Sequence, residues 1–223
     1  MSRQMGFSLL EVLLALSLGL LLLLGASRLF LAASQSWQAQ GVAARMQEDA
    51  RQALQRLAQS IRMAGMFGCL HHDAIDFLDP LAGEAFAHPV QITRAADGRL
   101  QRLSLISAEV AQASGLPDWT LVTDCRTQAS VHAGVRAAEV GQFAVPIRRH
   151  DYRLVADQLL LRSGASDGVL VDGVGELQLE LLRDSSLGIS GVQLGLTLID
   201  PQQRVRPQTY RMSIALGNPV AGS

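Results

Sequence analysis

Two hydrophobic periods divide the chain. From Phe7 to Ala26 the sequence reads FSLLEVLLALSLGLLLLLGA, apolar all round a helix apart from two serines and one charged residue, Glu11. Twenty helical residues rise about 30 Å, the thickness of a bilayer's hydrocarbon core, so residues 7–26 predict a transmembrane helix. From Ser27 to Met63 there is no Pro and a single Gly, Gly41, among many Ala, Gln, Arg and Leu, which are good helix formers. Leu54, Leu57 and Ile61 recur at helical spacing, and Arg45–Asp49 and Glu48–Arg51 are spaced for ion pairs. Gly65 is a natural stop. Residues 27–64 thus predict an amphipathic continuation, and the whole helix from Phe7 to Ala64 would measure about 85–90 Å. A coiled coil would need a sustained heptad, which is missing, so packing against a sheet is the expectation for the second half.

Beyond Gly68 the period becomes two. Val90 and Ile92 lead through a turn at Asp97-Gly98 to Leu103 and Leu105. Trp119, Leu121, Thr123 and Cys125 alternate, as do Phe143, Val145 and Ile147. Tyr152–Val155 and Gln158–Arg162 read as a hairpin across Ala156-Asp157. Three strands close the chain, marked by Leu177/Leu179/Leu181, Val192/Leu194/Leu196/Leu198 and Tyr210/Met212/Ile214/Leu216. One apolar face per strand predicts an antiparallel sheet exposed on its other face. Its partner would be the apolar stripe of the long helix. The fold class is therefore α+β, with residues 65–223 as a globular head and a looped insertion around Leu70 to His88.

Composition narrows the function. The formal net charge is −1 and only 4 % of residues are aromatic, which argues against a nucleic-acid partner. The 19 basic residues are all Arg. Cys69 and Cys125 stand alone, without the paired spacing of a zinc site. They could form a disulfide in an oxidising compartment, or remain two separately packed thiols.

Glu11 is the anomaly of the apolar run. A carboxylate at membrane depth costs roughly 2.5–3.5 kcal/mol, so it reads as functional unless it merely snorkels to the interface. Were the chain cut between Gly6 and Phe7, the new α-ammonium of Phe7 would lie one turn before Glu11 and could pair with it. A secretory signal peptide cut near Ala26-Ser27 is the alternative reading of this terminus; the apolar stretch is long for one and lacks a convincing small-x-small site.

The segment MSRQMG-FSLLEVLLALSLG resembles the signal of type IV pilins and type II secretion pseudopilins, with Arg3, Gly6, Phe7 and Glu11 each matching. The resemblance implies a leader at residues 1–6, cleavage at Gly6/Phe7 by a prepilin peptidase, N-methylation of Phe7, and a role for Glu11 in docking onto a growing filament. It implies a single-pass protein of the bacterial inner membrane, with its head in the periplasm before assembly into the filament. The partners would be membrane lipid, an inner-membrane assembly platform and other minor and major pilins. Many major pilins carry a Pro in this helix, where this chain offers only Gly19 and Gly25. Ile61-Arg-Met-Ala-Gly-Met-Phe-Gly-Cys69, Val171-Asp-Gly-Val174 and Ile214-Ala-Leu-Gly-Asn218 are similar to segments of PilW-type minor pilins, although relatives often have Arg at the position of Gly217. That likeness implies a tip-proximal role in filament initiation, and so in motility or adhesion. The J-type minor pseudopilin of type II secretion is the nearest alternative. In either case the periplasm would allow a Cys69–Cys125 disulfide.

Catalysis has little to stand on. His71, His72 and Asp73, with Asp76 and Asp79 behind them, could suggest a metal or a tethered hydrolase, but the spacing matches no HExxH signature. His88, His132 and His150 come without partner patterns. There is no GxSxG elbow, P-loop or GxGxxG, and Ser186 within DSSLG reads as a turn. No catalytic residue, metal ligand or cofactor site is assigned. Intact mass of membrane-extracted protein is expected to begin at a methylated Phe7; a mature chain beginning near Ser27 would establish the signal peptide instead.

Overall fold

The computed structural model describes residues 8–109, 115–164, 166–184 and 188–220. Arg3, the Gly6/Phe7 junction and Ser186 lie outside the described residues. The chain divides into two units, Met1–Arg45 and Met46–Ser223. It is α+β, with one long N-terminal helix followed by sheets rich in antiparallel pairing.

Helix α1 runs unbroken from Leu9 to Met63. It ends where Gly65 takes φ 77°, a conformation glycine adopts without steric cost, and donates its N–H to Ile106 O at 3.0 Å. In the second unit, Met46, Ala50, Ala53, Leu54, Leu57, Ala58, Ile61 and Ala64 are all buried, a three-and-four spacing that marks one face. Each large apolar side chain taken from water contributes about 1.5–3 kcal/mol. On the solvent side Glu48 and Arg51 meet at 2.7 Å. That hydrogen-bonded guanidinium, helped by the Gln52 amide, holds the Glu48 carboxyl down to about 2. The expected Arg45–Asp49 pair is not formed among the described ion pairs, and α1 loses little by it, because exposed pairs of this kind are weak.

The expectation of one sheet is corrected to two. The first contains β1 (Ile75–Phe77), β2 (Val90–Arg94), β3 (Leu100–Ala108), β4 (Trp119–Thr123), β5 (Ala129–Ala133), β6 (Phe143–Val155), β7 (Gln158–Ser163) and β8 (Ser166–Val171). Strand β6 is its spine. One edge pairs with β3, while the other pairs first with β4 and then with β7. All pairings are antiparallel except β1 with β5, which is parallel. The β6–β7 hairpin turns at Ala156, φ 54°, with Val155 opposite Gln158, as its sequence predicts. The second sheet holds β9 (Val174–Asp184), β10 (Gly188–Leu198) and β11 (Gln208–Val220) in the order β11-β10-β9.

The split between sheets falls at Val171-Asp-Gly-Val174. Gly173 sits at φ 69°, and a Cβ there would lie 2.9 Å from Ile199 O. Its carbonyl accepts the Ile199 N–H at 2.8 Å, and Val174 N–H donates to Asp157 O at 2.7 Å. Only glycine meets both the dihedral and the space, which is the physical content of this motif. Gly217 has a similar constraint: a Cβ would lie 2.7 Å from Arg62 O at the end of α1. An Arg at that position would have to move β11 or the helix end.

Residues 70–88 are not the expected loop. His72–Ala74 form a 3-10 turn, β1 follows, and α2 (Pro80–Ala87) completes the segment. Asp79 caps α2 by accepting the Leu81 N–H at 3.0 Å, and Pro80 supplies the fixed φ favoured in a first turn. Phe86, Ala82 and Ala85 of α2 join Ile106, Trp119, Leu121, Val131 and Ile147 in a core on one face of the first sheet. Strand β4 is accordingly buried at all five positions rather than alternately.

One side-chain hydrogen bond ties α1 to β6, and a histidine on the same strand lies in the field of the helix. Ser60 Oγ and Tyr152 Oη lie 2.7 Å apart; one turn back on the helix and two residues back on the strand stand Arg56 and His150. Burial, then Arg56 and Arg148, push the His150 pKa below its ordinary value, while Asp118 and Asp151 pull it the other way. Nδ1 of His150 is buried without a partner among the described residues. A depressed histidine stabilises the fold above the unfolded pKa of about 6.5 and loses that contribution as pH falls through the folded value. The melting temperature of the head is therefore expected to fall as pH drops from 7 towards 5, and more weakly for His150→Gln. Equal slopes for the two proteins would remove His150 from the account.

Candidate functional site: the apolar half of the helix and the stapled corner of the head

From Leu9 to Ala33 α1 is largely apolar and almost wholly exposed. Its best window has a mean hydropathy of 2.5 with none of its surface buried, so it is one helix long and apolar enough to span a membrane. Ser8 starts it by accepting the N–H groups of Glu11 and Val12 at 3.0 and 3.2 Å. Ser17 returns its hydroxyl to Leu14 O at 2.9 Å, which satisfies a polar group that lipid could not. Gly19 and Gly25 sit in the helix with open space where a Cβ would be, so neither is demanded by packing. They lower helix propensity by about 1 kcal/mol each relative to Ala. Glu11 lies in the first turn, where a carboxylate complements the helix dipole, and it is exposed. Among the described residues no cation lies within ion-pair distance of it. The partner the sequence suggests, the α-amino group of Phe7, is outside them.

The stapled corner is built differently. Cys69 and Cys125 form a disulfide with Cα atoms 5.3 Å apart, within the usual range for such bonds. Both residues are exposed, so the alternative of two buried thiols is set aside. Cys125 does not end a strand. It stands two residues beyond β4 at φ 58°, in a turn organised by the Asp124 side chain. Asp124 Oδ1 accepts the N–H groups of Arg126, Thr127 and Gln128, each at 2.9 Å. Those bonds, Gln128's first, hold the Asp124 carboxyl well below the usual carboxylate range. Cys125 N–H donates to Thr123 Oγ1 at 3.0 Å. On the other side of the bond, Phe67 and Leu70 flank Cys69 and pack against the core under α2, with the rings of Phe67 and Phe86 stacked at 4.2 Å. The disulfide thus fastens the segment leaving α1 to a rigid turn of the first sheet.

The histidine cluster is dispersed. His71 Nδ1 meets Asp73 Oδ2 at 3.1 Å on the surface, while His72 turns towards Phe77, ring centroids 5.0 Å apart. No group of three His, Cys, Asp or Glu side chains able to hold a metal occurs among the described residues. Asp76 lines a shallow polar hollow of about 300 Å³ with Thr127, Gln128, Ser130 and Gln142, without a buried charged group to orient a ligand. Asp79 is a helix cap that also accepts the Trp119 Nε1–H at 2.8 Å, a structural role the sequence did not reveal. Comparison of the chain with protein-family models, with curated proteins and with solved structures finds no match.

The closed loop spans a sequence separation of 56. For a loop of this length the chain-entropy model gives about 4 kcal/mol of stabilisation. Native unreduced protein, denatured and alkylated, is expected to take no label until reductant is added, and Cys125→Ser should lower the melting temperature. Two labelled thiols in freshly isolated protein would contradict the bond.

Proposed function

We propose that the chain is a filament subunit of the type IV pilin class, most similar to PilW-type minor pilins. It is held in the bacterial inner membrane by α1 until it enters the filament. Its role is in initiating and assembling a pilus, near the tip, and so in pilus-dependent motility or adhesion rather than in catalysis. The observation that carries this reading is the form of α1: a single helix, unbroken from Leu9 to Met63, with an apolar exposed first half and a one-faced second half. An enzyme tether needs only to span the bilayer. A filament subunit needs a helix that can exchange lipid for the helices of its neighbours, and a lone carboxylate at its start to mark register.

Three further features support it. The residues around Gly6/Phe7 carry the leader pattern of the class, so a prepilin peptidase and N-methylation at Phe7 belong to the proposal. The disulfide between Cys69 and Cys125 fits a periplasmic head, because disulfides persist in oxidising compartments. Gly173 and Gly65 give physical reasons for two of the PilW-like segments. Other minor and major pilins and an inner-membrane assembly platform are the partners this function requires.

The test is at Glu11. Glu11→Ala should leave the amount of folded, disulfide-bonded protein in the membrane unchanged, yet lower its incorporation into sheared filaments by about tenfold, equivalent to ~1.4 kcal/mol of lost pairing. Glu11→Lys should incorporate still less, since it opposes two cations. Wild-type incorporation of the Ala variant would remove Glu11 from the assembly step.

A further inference from the structure

Beyond Arg28 the apolar character of α1 resumes. Leu29, Phe30 and Leu31 are 75, 74 and 59 % exposed, Ala32 and Ala33 follow, and Trp37 stands 80 % exposed just before Gln38 and Gln40. The apolar stretch therefore runs past Ala26 to Ala33, interrupted by Ser27 and Arg28, with Trp37 one turn further on.

Helix geometry says what this extension fits. Leu9 to Ala33 is about 37 Å of helix, longer than a hydrocarbon core of about 30 Å, and a tilt of about 35° would match the two. Glu11 and Trp37 are separated by about 39 Å along the axis, which at that tilt is about 32 Å of depth and carries Trp37 just beyond the hydrocarbon core. Arg28 and Trp37 are two and a half turns apart and so lie on opposite faces, whereas Phe30 and Trp37, about two turns apart, share one. In a cylinder about 10–12 Å wide tilted by about 35°, opposite faces differ in depth by about 6 Å. Turning Arg28 to the upper face and Trp37 to the lower one shrinks their depth difference from about 11 Å to about 5 Å, within reach of an extended arginine.

We infer that the outer membrane boundary of α1 lies at Trp37 rather than at Ala26, with Arg28 to Trp37 seated in the lipid headgroup layer. Indole prefers this layer because its ring is apolar and its N–H needs an acceptor, which lipid carbonyl and phosphate oxygens provide. The Arg28 guanidinium binds phosphate from the opposite face. Leu29, Phe30 and Leu31 then leave water, which a boundary at Ala26 would forbid. The inference rests on the membrane-anchoring part of the proposed function and adds the position at which the anchor stops.

Fluorescence in vesicles tests it. Trp119, the only other Trp, is 6 % exposed in the core of the head, so lipid quenchers report on Trp37. Full-length protein would be reconstituted in phosphatidylcholine vesicles brominated either near the headgroup or near the chain ends, and recovery by flotation scored first. The expected result is blue-shifted emission quenched about twofold more by bromine near the headgroup, with the quenching lost in Trp37→Phe. Protein that floats but shows water-like, unquenched Trp37 emission would overturn the boundary while leaving the anchor intact. Blue-shifted emission with no quenching would place Trp37 against another protein helix and overturn it equally. Failure to float would remove the anchor and this inference together.

Discussion

A helix in lipid must be apolar on every side, while a helix that carries a folded head need be apolar on only one. Helix α1 meets both demands in one unbroken run of backbone hydrogen bonds. The change from all-round to one-faced character happens within the sequence rather than at a break in the chain. Leu9 to Leu31 expose apolar side chains all round, broken only by Glu11, Ser17, Ser27 and Arg28; from Met46 onward the buried positions fall on a single stripe that ends at Ala64. Much of the head is arranged to serve that stripe. Tyr152 takes a hydrogen bond with Ser60, Ile106 accepts the Gly65 N–H, and Gly217 leaves room for the carbonyl of Arg62.

Where the helix ends, the chain has to turn sharply and stay turned. Gly65 and Gly68, with φ of 77° and 142°, permit the turn. Phe67 and Leu70 then anchor it in the core beneath α2, and the Cys69–Cys125 bond fixes it to the Asp124 turn. The resulting corner holds the last turn of α1 against the first sheet.

The sequence makes the regular parts plain and the long-range parts obscure. Leu54, Leu57 and Ile61 announce their face because periodicity is a local property, and the three closing strands do so for the same reason. The division into two sheets is not local: it involves Gly173, just before β9, meeting Ile199, just after β10, which no pattern within either segment records. Residues 70–88 lack a period because α2 has only eight residues and buries three of them, too few for a recurring stripe. Strand β4 conceals its alternation because both of its faces are covered. At the candidate site, Glu11 was legible as a carboxylate in an apolar run and the cysteine pair as a possible bond. The positive φ of Cys125 and the carboxylate cradle beneath it were not, since they come from a turn whose hydrogen bonds the sequence only permits.

The central claim is that the first half of α1 serves as an assembly surface as well as a membrane anchor. Photo-crosslinking in living cells examines it directly, with a photoreactive residue replacing Leu16 or Leu23, both of which are exposed on α1. The account predicts covalent adducts with other small subunits that begin in an apolar helix, most abundant when filaments are being assembled. Adducts with lipid alone, unchanged whether or not filaments form, would contradict it and leave α1 as a plain membrane tether.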